Sequence, residues 1–299
     1  MKIHPWLFLG CLCFGSAAVA VHAEQAFELV EELPTGSINW TRGVARATGT
    51  NLFRGSIQGP SGPTGQEKII DEAYQQAVQN LMSTLSQMRM NDQNDVADLL
   101  SIHEYAQARV EEMTAAARVV RTLPLPDGNV EVAVEMSLYG GFAQLMLPPN
   151  IRQVDSIKPL NGSKSPGVEK DQANIFKQRV DRSDPEAYTG LLVDARGVGA
   201  RPSMVPVLLD ENGQEVYGPA YVSREFAVQH GMCRYIRGGM DGAAVLPQVA
   251  PNPLIVKGLR TVTEGSCDIV ISNADASILR GTSSHLEFLK QCRVVIVLD

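Results

Sequence analysis

From residue 188 to the end, the chain carries four short runs rich in β-branched and aliphatic residues, within TGLLVDARG, PLIVKGLRTV, CDIVIS and CRVVIVL. Runs this short and this evenly apolar suit strands covered on both faces, as in a parallel or mixed sheet, better than amphipathic helices. Between the last two runs, residues 273–280 and 283–291 read as helices. That order predicts a crossover unit whose flanking strands are parallel neighbours. The segment SMVPVLLDENGQEVYG predicts a hairpin turning at Asp210-Glu211-Asn212-Gly213. These features define an α/β domain over residues 187–299 whose final strand belongs to its own core.

A second pattern precedes it. In residues 36–48, GSINWTRGVARAT, the residues Ile38, Trp40 and Val44 and the alanines alternate imperfectly, as expected of a strand with one covered face. Residues 66–88 switch to a helical period, with Ile70, Tyr74, Ala77, Leu81, Leu85 and Met88 forming one stripe. Such a stripe, barely three heptads long and without a basic face, is suited to packing on a sheet. Residues 91–100 and 103–114 give shorter helical pieces, and residues 115–123 turn strand-like. Pro126-Asp127-Gly128-Asn129 marks a tight turn, and VEVAVEMSL then alternates apolar residues against Glu131 and Glu135, predicting a hairpin with one wet face. This unit reads as an α+β domain over residues 24–148. Residues 149–186 lack apolar periodicity and read as a linker, with one short helix around 172–180. The expected fold is therefore two mixed-sheet domains of α+β and α/β type, each with a sheet packed by helices.

The start of the chain sets its compartment. Lys2 leads into an apolar run over residues 7–21, and Val21-His22-Ala23 supplies small residues at the positions a signal peptidase requires. A cleaved leader over residues 1–23, with export to the periplasm, is the expectation. Residues 24 and 25 that follow bring no basic cluster to stop transfer, and no later run approaches the length of a spanning helix. Cys11 is preceded by Phe8-Leu9-Gly10, a poor lipid-attachment box, so cleavage after Ala23 is preferred to lipid anchoring at Cys11. The net charge of -7 argues against a nucleic-acid partner. Cys233, Cys267 and Cys292 remain after cleavage and allow at most one intramolecular disulfide, with three pairings possible.

Reactive chemistry is faint. DARGVGARP follows a predicted strand, but it lacks both the GxGxxG pattern and the Lys-Ser/Thr of a phosphate loop, and a glycine-containing turn explains it better. Asp194 and Arg196 lie two apart and share one face of their strand. They either pair with each other or, with Arg201, line the mouth of a ligand groove between the domains. His230 with Cys233, and His285 with Cys292, lack the doubled spacing of a zinc site. No catalytic residue, metal or cofactor is assigned.

The first domain resembles the Lpp-twenty lipoprotein family and the related N-terminal domain of flagellar assembly protein T. The likeness rests on GSINWTRGVARATGTN leading into a helix near Glu67 with Ala73 and Ala77 on its face, and on the hairpin RTLPLPDGNVEVAVEMSLYG. It covers about a third of the chain. The resemblance implies an envelope component without catalytic residues, associated with the outer membrane or with structures built in the periplasm. The expectation is thus a non-enzymatic periplasmic cell-envelope protein that binds or assembles with envelope protein partners. The alternative is a periplasmic small-ligand-binding or sensor protein that uses the interdomain groove.

Overall fold

The computed structural model describes residues 27–51, 63–151 and 188–299; the leader, Cys11 and nearly all of the expected linker lie outside them. The described residues form two sheets with helices packed on each, of five and seven strands. The first comprises β1 (Val30–Leu33), β2 (Gly36–Asn39), β3 (Val44–Thr50), β4 (Arg118–Pro124) and β5 (Val130–Ser137). Its order is β1-β2-β3-β5-β4 and every pairing is antiparallel. The stretch expected to be one strand is a hairpin. Its alternation breaks only at the turn, where Gly43 has φ +64° and its amide donates to the Asn39 carbonyl over 2.8 Å.

Helix α1 (Pro63–Ser86) covers one face of this sheet through Ile69, Ala73, Ala77, Leu81 and Leu85, with Met88 just beyond. Compared with the expected stripe, its N-terminal half is rotated by one residue, and Ile70 and Tyr74 sit at the margin. Small residues decide this rotation. A Cβ on Gly49 of β3 would overlap the backbone of Ala73, Gln76 and Ala77, so the helix crosses the strand where glycine meets alanine. Tyr74 at the flank donates its hydroxyl to the Ala115 carbonyl over 2.7 Å. Two further helices follow, α2 (Val96–Ile102) and α3 (Glu104–Ala115). The first starts five residues later than the sequence suggests, because Asp95 and Asp98 close a capping box there. Helix α4 (Gly141–Met146) ends the unit.

The second sheet contains β6 (Gly190–Asp194), β7 (Leu208–Leu209), β8 (Glu215–Tyr217), β9 (Arg234–Arg237), β10 (Pro253–Thr261), β11 (Ile269–Ile271) and β12 (Val294–Leu298). Its order is β8-β7-β11-β10-β6-β12-β9, with β10, β6, β12 and β9 mutually parallel. Around it lie α5 (Arg224–His230), α6 (Met240–Ala244), α7 (Asn273–Arg280) and α8 (Ser283–Lys290). The crossover expectation is corrected here: β11 and β12 are separated by β10 and β6 and run in opposite directions. The tight return from β10, closed by Val262 donating to the Asp268 carbonyl over 3.1 Å, puts β11 antiparallel on the outside of β10. The helices α7 and α8 then carry the chain back over the sheet to the far side of β6. All five residues of β12 are buried, as a strand covered on both faces requires.

The two units are joined by one continuous apolar core. Residues 27–29 run along the outer edge of β9, where Glu28 bridges to Ile236 and the Arg237 amide donates to the Phe27 carbonyl over 3.0 Å. Thr41 donates to the Tyr235 carbonyl over 2.7 Å, and Trp40 meets Tyr235 edge to face with centroids 5.9 Å apart. Val205 donates to Met90 and Gly140 to Val228, each over 2.8 Å. Arg224 donates to the carbonyls of Gln144 over 2.8 Å and of Pro148 over 2.9 Å, so backbone from one unit is satisfied by the other all along the seam.

Candidate functional site

Of the three residues expected at a groove mouth, two pair with each other. Arg196 grips Asp194 through two parallel hydrogen bonds of 2.7 and 2.8 Å, and this contact holds the Asp194 carboxyl below its ordinary range. Beside them, the Gly197 amide lies 3.0 and 3.1 Å from the two carboxylate oxygens of Asp299. The glycine turn after β6 therefore does meet an anion, the chain's own side chain. Gly197 and Gly199 both have positive φ, at 77° and 70°, as expected of a turn. Arg201 points elsewhere: its amide donates to Ser266 over 3.1 Å, and its side chain lies beside Gly265 at the β10–β11 return. The three candidates do not converge on a pocket between the units.

Cys233, Cys267 and Cys292 are all free and all buried, so the possible disulfide is not formed. Burial raises all three thiols, Cys267 and Cys292 to about 12, which keeps them protonated and poorly nucleophilic at neutral pH. His285 is buried. Its Nδ1 lies 2.7 Å from the Ile278 carbonyl and its ring packs between Tyr188 and Phe288. Among the described residues, no group of three or more His, Cys, Asp and Glu side chains is arranged to hold a metal.

A different site lies at the seam. Most of the contact there is filled: around Trp40, Tyr139, Cys233 and Tyr235 only about 30 Å³ remains. Next to it, the contact opens into a cleft of about 500 Å³ lined by Phe27, Glu28, Thr41, Arg42, Arg234, Ile236, Gly242 and Leu246. Each unit supplies one arginine. Arg42 sits in the β2–β3 turn, its amide tied to Asn39 Oδ1 over 2.9 Å, while Arg234 opens β9 and shares a face with Ile236 two residues on. Thr41 is spent on the seam, accepting from the Leu29 amide over 2.7 Å while it donates to Tyr235. The Glu28 carboxylate accepts from Asn39 Nδ2 over 2.7 Å. Arg234 Nε is buried without a hydrogen-bond partner among the described residues. Arg42 and Arg234 stand 192 positions apart, and no motif connects them in the sequence.

Another concavity, of about 650 Å³, lies on the first sheet and is lined by residues that include Arg46, Thr48 and Arg121 of the strands and Asn80 of α1. Glu135, expected on a wet face, is only 8% exposed there and is clamped by Arg46 at 2.6 Å and Arg118 at 2.7 Å. Burial pushes its carboxyl up, but the two arginines outweigh this and hold it below the usual range.

Residues 190–299 match a family model described as the second domain of Treponema pallidum Tp0624. The match begins at the first residue of β6 and takes in all of the second sheet and none of the first. It includes Arg234, Ile236, Gly242 and Leu246 of the cleft, and leaves out Phe27, Glu28, Thr41 and Arg42. No curated protein matches the chain.

Proposed function

We propose that this chain is a non-enzymatic component of the cell envelope, exported to the periplasm, that works by pairing with an extended segment of an envelope protein partner. The observation that carries this reading is the outer edge of β4. Among the described residues this seven-residue strand pairs only with β5, and Val119 and Leu123 on it are 45% and 42% exposed. An uncovered edge of this length is a template for an added strand. The other edges are shorter or covered: β8 has three residues, β1 has four, and β9 is lined by residues 27–29. A bulge between Val119 and Arg121 limits the register, leaving residues 121–123 as the regular pairing surface.

Export rests on the leader, and association with the outer membrane or a flagellar structure rests on the sequence resemblance of the first unit. Among the described residues, no helix is long and apolar enough to cross a membrane. A photo-crosslinking residue at Leu123, activated in intact cells, tests the reading. Adducts heavier than the monomer, lost when Thr122→Pro removes a backbone donor from β4, are expected. Recovery of monomer alone would defeat it.

A further inference from the structure

We propose that the seam cleft binds a small amphipathic oxyanion, a carboxylate or phosphate headgroup on an apolar body, with Arg42 and Arg234 on the headgroup. The charge balance of the lining favours an anion, since two guanidiniums face one carboxylate and that carboxylate is already engaged by Asn39. Neither guanidinium forms an ion pair with a described residue, in contrast to Arg46, Arg118, Arg121, Arg196 and Arg280 elsewhere in the molecule. Arg234 Nε has no accessible surface, so the terminal guanidinium nitrogens of the two arginines are the donors open to an oxyanion. The planar fork of arginine matches carboxylate and phosphate oxygens two at a time.

The rest of the cleft suits an apolar body. Phe27, Ile236 and Leu246 form its walls, and about 500 Å³ falls within the range of small-molecule sites. The Phe27 ring is seated against glycine, since a Cβ on Gly242 would approach it to 2.7 Å and one on Gly238 to 3.0 Å. The headgroup arginines come from different sheets, so the site exists only while the two units are docked. This inference is independent of strand addition at β4.

Calorimetric titration of the mature protein at low salt with benzoate, phenyl phosphate, inorganic phosphate and the neutral isostere benzamide tests it. Saturable one-to-one binding of benzoate or phenyl phosphate is expected, with benzamide and inorganic phosphate each weaker by roughly tenfold or more. Arg42→Gln and Arg234→Gln should each weaken the bound probe by at least roughly tenfold, while Arg260→Gln on β10 should not. Arg42 is exposed, so its variant carries the test if Arg234→Gln shifts the thermal transition. Failure of both organic anions to saturate, or wild-type affinity in both cleft variants, would overturn the proposal. So would capture by phosphatidylglycerol vesicles without binding of either soluble anion, because that outcome assigns the arginines to a membrane surface.

Discussion

The first sheet leaves one face and the edge of β4 uncovered by any described residue, whereas the second is closed on both faces over β6 and β12 and along the edge of β9. The closure lapses toward β10, where Ile255 and Leu259 are exposed. The two surfaces are built by different means. On the first sheet, the open face is held by cross-strand ion pairs, Arg46 and Arg118 on Glu135 and Arg121 on Glu131. On the second, helices α6, α7 and α8 and the first unit cover apolar strands. The antiparallel sheet is therefore the one that presents the long uncovered edge on which the proposed strand addition rests, while the second sheet exposes apolar side chains at β10.

The most disruptive way to break this contrast is to remove β12. Deleting residues 293–299 takes away the strand between β6 and β9, and loss of the cooperative thermal transition is expected. An unchanged transition would show that the second sheet does not depend on β12. Next in size is Trp40→Ala at the seam, expected to cost about 3 kcal/mol, as truncation of a large buried aromatic does. Because the core is continuous, calorimetry should show one transition shifted as a whole; two transitions with only one displaced would mean the units melt separately.

Glu135→Gln is expected to cost about 1 kcal/mol, a small effect because Arg46 and Arg118 are 48% and 71% exposed and are rehydrated easily. The sign of its pH dependence follows from its depressed pKa. The stabilisation is fully present above the unfolded-state value of about 4.3 and is lost as pH falls through the lower folded-state value, so wild type and variant should converge in acid. Smallest of all is the response of the native protein to a thiol reagent at pH 8. Cys233, Cys267 and Cys292 should remain unlabelled until denaturant is added and then all react. Rapid native labelling, or only one reactive thiol after unfolding, would contradict the buried, unbridged arrangement.

Much of the element pattern was legible because it depends on local periodicity. The stripe of α1, the turn at Asp127-Gly128, the hairpin at residues 208–217 and the strands β6, β10, β11 and β12 all follow from side-chain spacing and turn chemistry. The elements that escaped are short and mixed in polarity. β9 reads Arg-Tyr-Ile-Arg, with Tyr235 in the core shared by the two units and Ile236 on the face that carries α6 and the cleft, and four residues give too little alternation to register. Asp194 and Arg196 were visible as a pair but not as a closed one, because whether an arginine two residues away folds back or reaches out depends on the turn that follows.

What the sequence determined by itself was the type of each unit and most of its strands and helices, since the patterns of α1 and β12 can be satisfied only by burying particular faces. The tertiary structure alone decided strand order, which places β10 and β6 between β11 and β12, and the docking that fills most of the expected groove. It alone brought Arg42 of a turn and Arg234 of a distant edge strand to one cleft. Periodicity specifies which face of an element must be covered; which distant element covers it, and which polar groups that contact leaves facing each other, is fixed only when the two surfaces meet.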